Sequence, residues 1–368
     1  MGTRRTTIGR ALVSLAVAAA APPAGAEDDP SPSPWSAFPI LGYGPETSAI
    51  LGGGVVFTFD VDRRPPAEGA KVRRSALALA SAYTFENQFF VSLAPSVYWE
   101  AETWHAEGEL SGALFPNTYY PVGNRTPASR AEDYTEIGFG AAGAVTRRLA
   151  GSFRTGGQVG FFHSEIADKQ AGGDLDGDRV EGSDGGRLVG LGPVMRWDDR
   201  DNDFATQRGG RYALSASYFA TALGSSFDVS KYELDLRHFL PLGGEHVLAG
   251  QLYGVANFGR VPFQTMATLG GANIMRGYFE GRYRDLHMLA AQVEYRMPLF
   301  WRFGGAVFAG AGDVAHELDD YRPRDLKAAG GGGVRFALNP ADRVNLRLDV
   351  AGTSDGDLNF YITLGEAF

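Results

Sequence analysis

The sequence predicts an all-β fold: a 16-stranded antiparallel transmembrane β-barrel with an inward-folded sixth extracellular loop. Three observations carry that prediction. First, hydrophobicity alternates with a period of two over long segments. In 289–297, Leu289, Ala291, Val293, Tyr295 and Met297 alternate with Gln292, Glu294 and Arg296. Successive strand side chains point to opposite faces, so this pattern reads as strand. Second, the polar face carries full charges of both signs on runs of about ten residues or more. A soluble sandwich usually keeps strands near five or six residues, whereas a strand that crosses a bilayer needs about nine to eleven. Third, the chain starts with an export signal and afterwards holds no run of eighteen apolar residues, so no transmembrane helix follows. Its 50 glycines and its 24 Phe and 15 Tyr fit a membrane barrel. Backbone groups in lipid have no water to bond, so such a sheet must close on itself.

In chain order, residues 1–26 read as a signal peptide. Arg4, Arg5 and Arg10 form a basic head, 11–20 is apolar but too short to span a membrane, and Ala24-Gly25-Ala26 is a small-residue cleavage site. The Arg4-Arg5 pair leaves a twin-arginine route as the alternative to ordinary secretion. Residues 27–36 are a short periplasmic N-terminal segment, and 37–368 form the outer-membrane barrel. The sixteen strand patterns fall at approximately 37–44, 48–60, 74–85, 89–100, 103–115, 134–148, 152–166, 187–198, 210–222, 229–240, 247–258, 287–298, 303–314, 328–338, 343–352 and 358–368. The fourth is typical: Phe89, Val91, Leu93, Val97 and Trp99 alternate with Ser92, Ala94, Ser96 and Glu100. In the tenth, Lys231, Glu233, Asp235 and Arg237 alternate with Tyr232, Leu234, Leu236 and His238. In the fifteenth, Arg343, Asn345, Arg347 and Asp349 alternate with Val344, Leu346, Leu348 and Val350. An even strand number puts both ends on the periplasmic side. Segments 116–133, 167–186, 259–286 and 315–327 then lie outside the cell, and the periplasmic links are short except near 61–73 and 199–209.

Charge and composition exclude several functions. The net charge is −9, and removing three arginines with the signal gives −9 − 3 = −12, which argues against a nucleic-acid partner. There is no cysteine, so disulfides, thiol chemistry and cysteine metal sites are absent. The six histidines are scattered. His238 has lipid-facing parity, but no serine nucleophile motif accompanies it, so no enzyme activity and no cofactor are expected. "RWDDRDNDFATQRGGRY" at 196–212 gathers Asp198, Asp199, Asp201 and Asp203. Hard cations take carboxylates, yet neither this stretch nor "DLDGDRVEGSD" at 174–184 has a calcium-loop glycine in register. Both read as solvated acidic loops without a metal, with loosely held calcium as the alternative.

The sixth loop contains "GGANIMRGYFEGRYRD" at 270–285, within a segment of apolar and aromatic residues. Loops this long are usually functional or disordered, and this composition is not that of a disordered loop. An apolar loop must bury itself, and the lumen is the cavity at hand. Arg276 would then sit inside the barrel, with Gly277 letting the backbone pass close to the wall. A buried guanidinium needs a carboxylate partner. Lumen parity offers Glu294 on the next strand and Asp349 on the fifteenth. The chain closes on "NFYITLGEAF", where Phe360, Ile362, Leu364 and Phe368 are expected to share one face of the last strand. The aromatic Phe368 marks it as an outer-membrane insertion signal.

These residues resemble the barrel of the BamA/TamA-type outer-membrane assembly superfamily, also called bacterial surface antigens. The family's hallmark Arg-Gly-Tyr/Phe motif on an inserted sixth loop matches Arg276-Gly277-Tyr278. "FPILGYGPETSAILGGG" resembles its first hairpin, "WDDRDNDFATQRGG" its Asp-Arg-Asp turn, "VEYRMPLF" the strand after the loop, and "FYITLGEAF" its last strand, including a glycine, Gly365, where that strand kinks from the first. The resemblance implies a loop-lock motif at Arg276, Gly277 and Tyr278 and a weak seam between first and last strands at Gly365. Two departures stand out. Only about ten residues separate the cleavage site from the first strand, too few for a POTRA domain, which points to the POTRA-less branch. The family's Phe-x-Asp-Ala-Gly-Asn strand reads "FAGAGDVA" here: Gly310 stands where the arginine's aspartate would be, and Asp313 lies three residues on. Three is odd, so Asp313 points to the opposite face unless a bulge intervenes, which promotes Glu294.

The expected location is the bacterial outer membrane. The expected function is assembly or translocation of outer-membrane proteins or lipid through the seam, with a passive pore or structural barrel as the alternative. The expected partners are outer-membrane lipid and lipopolysaccharide, and a periplasmic accessory protein or unfolded client.

Overall fold

The computed structural model, which describes residues 33–61, 73–177, 179–340 and 343–368, is built on strands whose two faces differ as the alternation requires. The expected signal peptide at 1–26, residues 27–32 and most of the link near 61–73 lie outside the described residues. The first half of the sheet comprises β1 (Trp35–Gly44), β2 (Ser48–Phe59), β3 (Ser75–Thr84), β4 (Phe89–Trp99), β5 (Trp104–Tyr119), β6 (Glu132–Ala150), β7 (Phe153–Ala167) and β8 (Gly185–Asp198). The second half comprises β9 (Gly209–Phe219), β10 (Val229–Gly243), β11 (His246–Gly259), β14 (His287–Phe300), β15 (Phe303–Ala315), β16 (Lys327–Asn339), β17 (Val344–Thr353) and β18 (Leu358–Leu364). These sixteen strands form one closed antiparallel barrel in chain order, with β11 beside β14 and β18 returning to β1. The short β12 (Ala267–Leu269) and β13 (Tyr283–Asp285) stand apart as a two-stranded ribbon within the sixth loop, residues 260–286.

On β14, Gln292, Glu294 and Arg296 are buried on the lumen side while Leu289 and Val293 face outward. The same split orders β17, where Arg347 and Asp349 are buried and Val350 faces out. All five tryptophans (Trp35, Trp99, Trp104, Trp197, Trp301) lie at strand ends on the short-turn side, an aromatic belt at one membrane interface. The wall is uneven. β6 has 19 residues and β18 has seven; at about 3.3 Å per residue these are roughly 60 Å and 23 Å of strand.

Two expectations are corrected. The last strand stops at Leu364, so Phe368 does not share a face with Phe360, Ile362 and Leu364. Gly365 adopts φ +76° with no neighbour that a side chain would strike, so backbone conformation and not space selects glycine here. The chain then turns into the lumen, where Phe368 packs beside Phe239, Val247 and Ala249 and its main-chain oxygen accepts from Arg296 Nη2 at 2.9 Å. An apolar ring at the barrel mouth is better covered there than in the aqueous space beyond the strand. Second, the aspartates at and after the end of β8 are held by partners, although Asp199 and Asp201 stay exposed as a solvated loop requires. Arg200 pairs with Asp198 at 2.8 Å and Asp203 at 3.0 Å, Asp201 pairs with Arg343 of the β16–β17 turn at 2.7 Å, and Asp199 accepts from the Gly210 amide. Thr206 of this turn is buried and its carbonyl takes Arg296 Nη1 at 3.4 Å, so the turn folds under the mouth. Among the described residues no cluster of three or more His, Asp or Glu forms a metal site.

Candidate functional site

The sixth loop packs into the barrel because its own composition is apolar. Ala267, Leu269, Ile274, Met275, Tyr278 and Tyr283 form one buried cluster with Tyr253 and Val255 of β11, Met288 and Ala290 of β14, Val314 of β15 and Ala329 of β16. Other loops cover it from above. Gly123 bridges to Arg284, Arg282 donates to the Thr126 carbonyl at 2.9 Å, and Phe263 lies edge-on to Tyr119 and Tyr134.

At the loop's deepest point Arg276 is 2% exposed. Its Nη2 donates to Glu294 Oε2 and its Nη1 to Asp349 Oδ2, both at 2.5 Å, and its guanidinium carbon lies 3.5 Å from the centre of the Phe308 ring. A planar guanidinium suits this arrangement, since each edge reaches a different carboxylate while the face stacks on an aromatic ring. The backbone bends sharply to deliver it: Met275 has φ +53° and Gly277 φ +113°. A Cβ at Gly277 would also come within 2.9 Å of Thr353 Cγ2, so both conformation and close approach demand glycine. Tyr278 hydrogen-bonds Ser354 Oγ at 2.9 Å and the Ala328 carbonyl at 3.3 Å.

Of the candidate acids, Glu294 and Asp349 thus meet Arg276 together, and Asp313 does not. β14 and β15 pair without a break through Leu289↔Asp313, so no bulge rotates Asp313 inward. It shares the outward parity of Val307 and accepts from Asn124 Nδ2 at 3.2 Å beneath the covering loops. Gly310, three residues below on the inward face, leaves room instead for the Met275 sulfur, which a Cβ there would approach to 3.0 Å.

The anchor continues into a larger charge network. Glu294 also accepts from Arg296 at 2.7 Å and Arg335 at 3.4 Å; Arg335 also donates to Asp349 at 2.5 Å and to Glu366 at 3.1 Å. Arg347 bonds Thr363 Oγ1 of β18 at 2.8 Å and the loop carbonyl of Ala272 at 2.9 Å. The acids that hold the loop arginine and Glu366 of the inward-turned segment after β18 therefore share the wall arginines Arg296 and Arg335. The seam itself is sparse. β1 and β18 are joined through one pair, Tyr43↔Ile362, against ten pairs between β1 and β2 and seven between β17 and β18. Because the chain leaves the sheet at Gly365, the lower part of β1 has no β18 residue opposite it.

A family model described as the Omp85 superfamily domain matches residues 72–368. The chain belongs to the Omp85 superfamily. As an Omp85 barrel it is embedded in the outer membrane. Three solved structures share its fold. BamA from Haemophilus ducreyi lacking POTRA domains 1–3 aligns with TM-score 0.62 at 13% identity, covering 94% of this chain and 74% of that one. CdiB from Acinetobacter baumannii aligns at TM-score 0.56 and 12% identity, covering 91% and 60%; CdiB from Escherichia coli at 0.57 and 12%, covering 92% and 63%. No curated protein matches the sequence.

Several residues of this Omp85 barrel escaped the sequence argument. Arg296 and Arg347 stood in the alternating patterns with lumen parity, but parity does not say which charge they meet. Phe308 opens the "FAGAGDVA" stretch of β15, read for Gly310 and Asp313, and Arg335 lies on β16, read only as a strand. Tyr361, buried on β18, donates its hydroxyl to the Tyr278 carbonyl at 3.4 Å; its inward parity was legible and its partner was not.

Proposed function

We propose that this Omp85 barrel assembles or translocates outer-membrane proteins or lipid by opening between β1 and β18, with the sixth loop as the lock. The observation that carries this reading is the single Tyr43↔Ile362 pair at the seam, which leaves a strand edge of β1 without a ladder partner. Natural sheets seldom leave such an edge unguarded, and an extended client segment is the partner its backbone groups fit. An unfolded client or a periplasmic accessory protein supplies that segment, and outer-membrane lipid and lipopolysaccharide surround it. BamA and CdiB, the named relatives in fold, support the reading by likeness.

The test uses the absence of native cysteine. Tyr43→Cys with Ile362→Cys places two thiols on directly opposed residues, a separation a disulfide can bridge. Oxidation is expected to abolish insertion of outer-membrane proteins or lipid transfer in reconstituted vesicles, and reduction to restore it. Unchanged activity in the oxidised barrel rules out lateral opening.

The passive-pore alternative makes a different prediction. With the sixth loop in the lumen and other loops across it, the wild-type barrel is expected to show only small, infrequent currents in planar bilayers. Arg276→Ala is expected to raise them. Large, steady wild-type currents unaffected by that substitution would favour the pore.

A further inference from the structure

We propose that residues Gly277–Glu280 of the sixth loop form a strap across the outer end of the seam, fastened to β18 on one side and to the β1–β2 turn on the other, and that Glu46 is its release point. The proposal rests on the seam being the part that moves, and it concerns a contact separate from the Arg276 anchor. On the β18 side the Gly277 amide donates to Tyr361 Oη at 3.0 Å, Asn359 Nδ2 donates to the Gly277 carbonyl at 2.6 Å, and the Tyr361 hydroxyl reaches the Tyr278 carbonyl. Three residues on, the Glu280 amide donates to Glu46 Oε1 at 2.7 Å, in the turn that joins β1 to β2. That turn is itself tied down: Gln88 Nε2 donates to the carbonyls of Glu46 at 2.8 Å and Pro116 at 2.9 Å. The strap thus joins β18 to the β1–β2 turn through three hydrogen bonds at one end and one at the other.

The two ends differ in strength. Among the hydrogen bonds between described residues, the β18 end holds by three uncharged bonds, whereas the β1 end holds by the Glu280 amide's bond to an acid that has a second acid beside it. Glu280 faces Glu46 from the loop, Tyr361 faces it from β18 and Tyr120 from the segment after β5. Among the described residues no arginine or lysine ion-pairs with Glu46. Burial first, and then the Glu280 charge, push the Glu46 carboxyl up to about 8. An acid whose pKa is raised in the fastened state binds a proton there. Fastening is therefore fully favoured below the ordinary carboxylate pKa and is lost as pH rises from there through about 8.

The test is a distance measured across the seam without any client. Spin labels on Glu86→Cys and Asp357→Cys, exposed positions on turns either side of it, report the gap in reconstituted barrels. At about pH 6 one narrow distance distribution is expected; at about pH 9.5 a longer second population should appear. Glu46→Gln keeps the acceptor oxygen without the charge, and Glu280→Gln removes the neighbouring charge. Glu46→Gln is expected to stay narrow at either pH, and Glu280→Gln, in which burial still raises the Glu46 carboxyl, to broaden less than the wild type at about pH 9.5. The proposal is overturned by a wild-type distribution that does not change with pH, or by equal broadening in both glutamine variants. A pH-dependent gap in a barrel whose disulfide-locked form stays fully active would uphold the strap and remove the transport reading instead.

Discussion

Arg276→Glu is expected to expel the sixth loop from the barrel. The substitution removes a cation that two fully buried carboxylates share, Glu294 and Asp349, and adds a third negative charge between them. Removing one partner of a buried pair costs about 3–5 kcal/mol, and reversal adds repulsion in the same low-dielectric site. The remaining loop contacts are apolar packing around Ile274, Met275 and Tyr278 and hydrogen bonds such as those of the Gly277 backbone, none of which obliges a charged side chain at 276 to stay buried. Protease added to intact cells should therefore cut the variant within 270–282 while leaving the wild type whole. Arg276→Lys should fall between the two. A lysine reaches one carboxylate as a point charge and loses the planar stacking on Phe308. A variant cleaved no faster than wild type would mean that packing alone holds the loop.

Glu294→Gln is expected to lower the barrel's resistance to heat denaturation more than Asp349→Asn does. Each acid meets one arginine from the loop and two from the wall: Arg276, Arg296 and Arg335 at Glu294, and Arg276, Arg335 and Arg347 at Asp349. Of the two, only Glu294 holds Arg296, which also carries the Phe368 main-chain oxygen. Neutralising it leaves those guanidiniums sharing Asp349 and Glu366, and a buried unpaired charge is the costliest defect a single substitution makes. The reach of the damage should differ as well. Arg296 and Arg335 also hold Glu366 at 3.8 Å and 3.1 Å, so loss of Glu294 disturbs the inward turn after β18 together with the loop. The measurement is the temperature at which the folded form converts to the unfolded form on a denaturing gel, a rate-controlled quantity for a membrane barrel. Equal shifts for the two variants would show that Asp349 shares the role evenly.

What was legible in the sequence follows from local rules. A period of two assigned Glu294 and Asp349 to the lumen and Leu289 and Val293 to lipid, because a strand's faces depend only on parity. The same rule put Asp313 on the outer face, three residues from Gly310, and the β14–β15 ladder, regular from His287 to Pro298, keeps it there. The apolar composition of 260–286 implied burial, and the need of a buried guanidinium for an acid narrowed its partners to a few. The strand number followed from counting alternating runs, although β1 begins at Trp35 and β18 stops at Leu364, because local patterns blur at element ends.

The rest needed the assembled barrel. Parity gives a side chain's face but neither its height along the wall nor its position around it, and those depend on register summed across many strands. For that reason Arg276 meets two acids at once, while the sequence offered them as alternatives. Arg343 likewise reaches Asp201 between turns that lie far apart along the chain. The turn at Gly365 was foreseeable from the glycine, but the path of Phe368 into the lumen was not: it depends on an apolar niche made by β10 and β11, more than a hundred residues earlier. By itself the sequence determined the strand faces, the burial of the loop and the charge it carries inside. Only the tertiary structure decided which charges pair and how thinly the seam is closed, because closing a cylinder brings together residues that no local pattern relates.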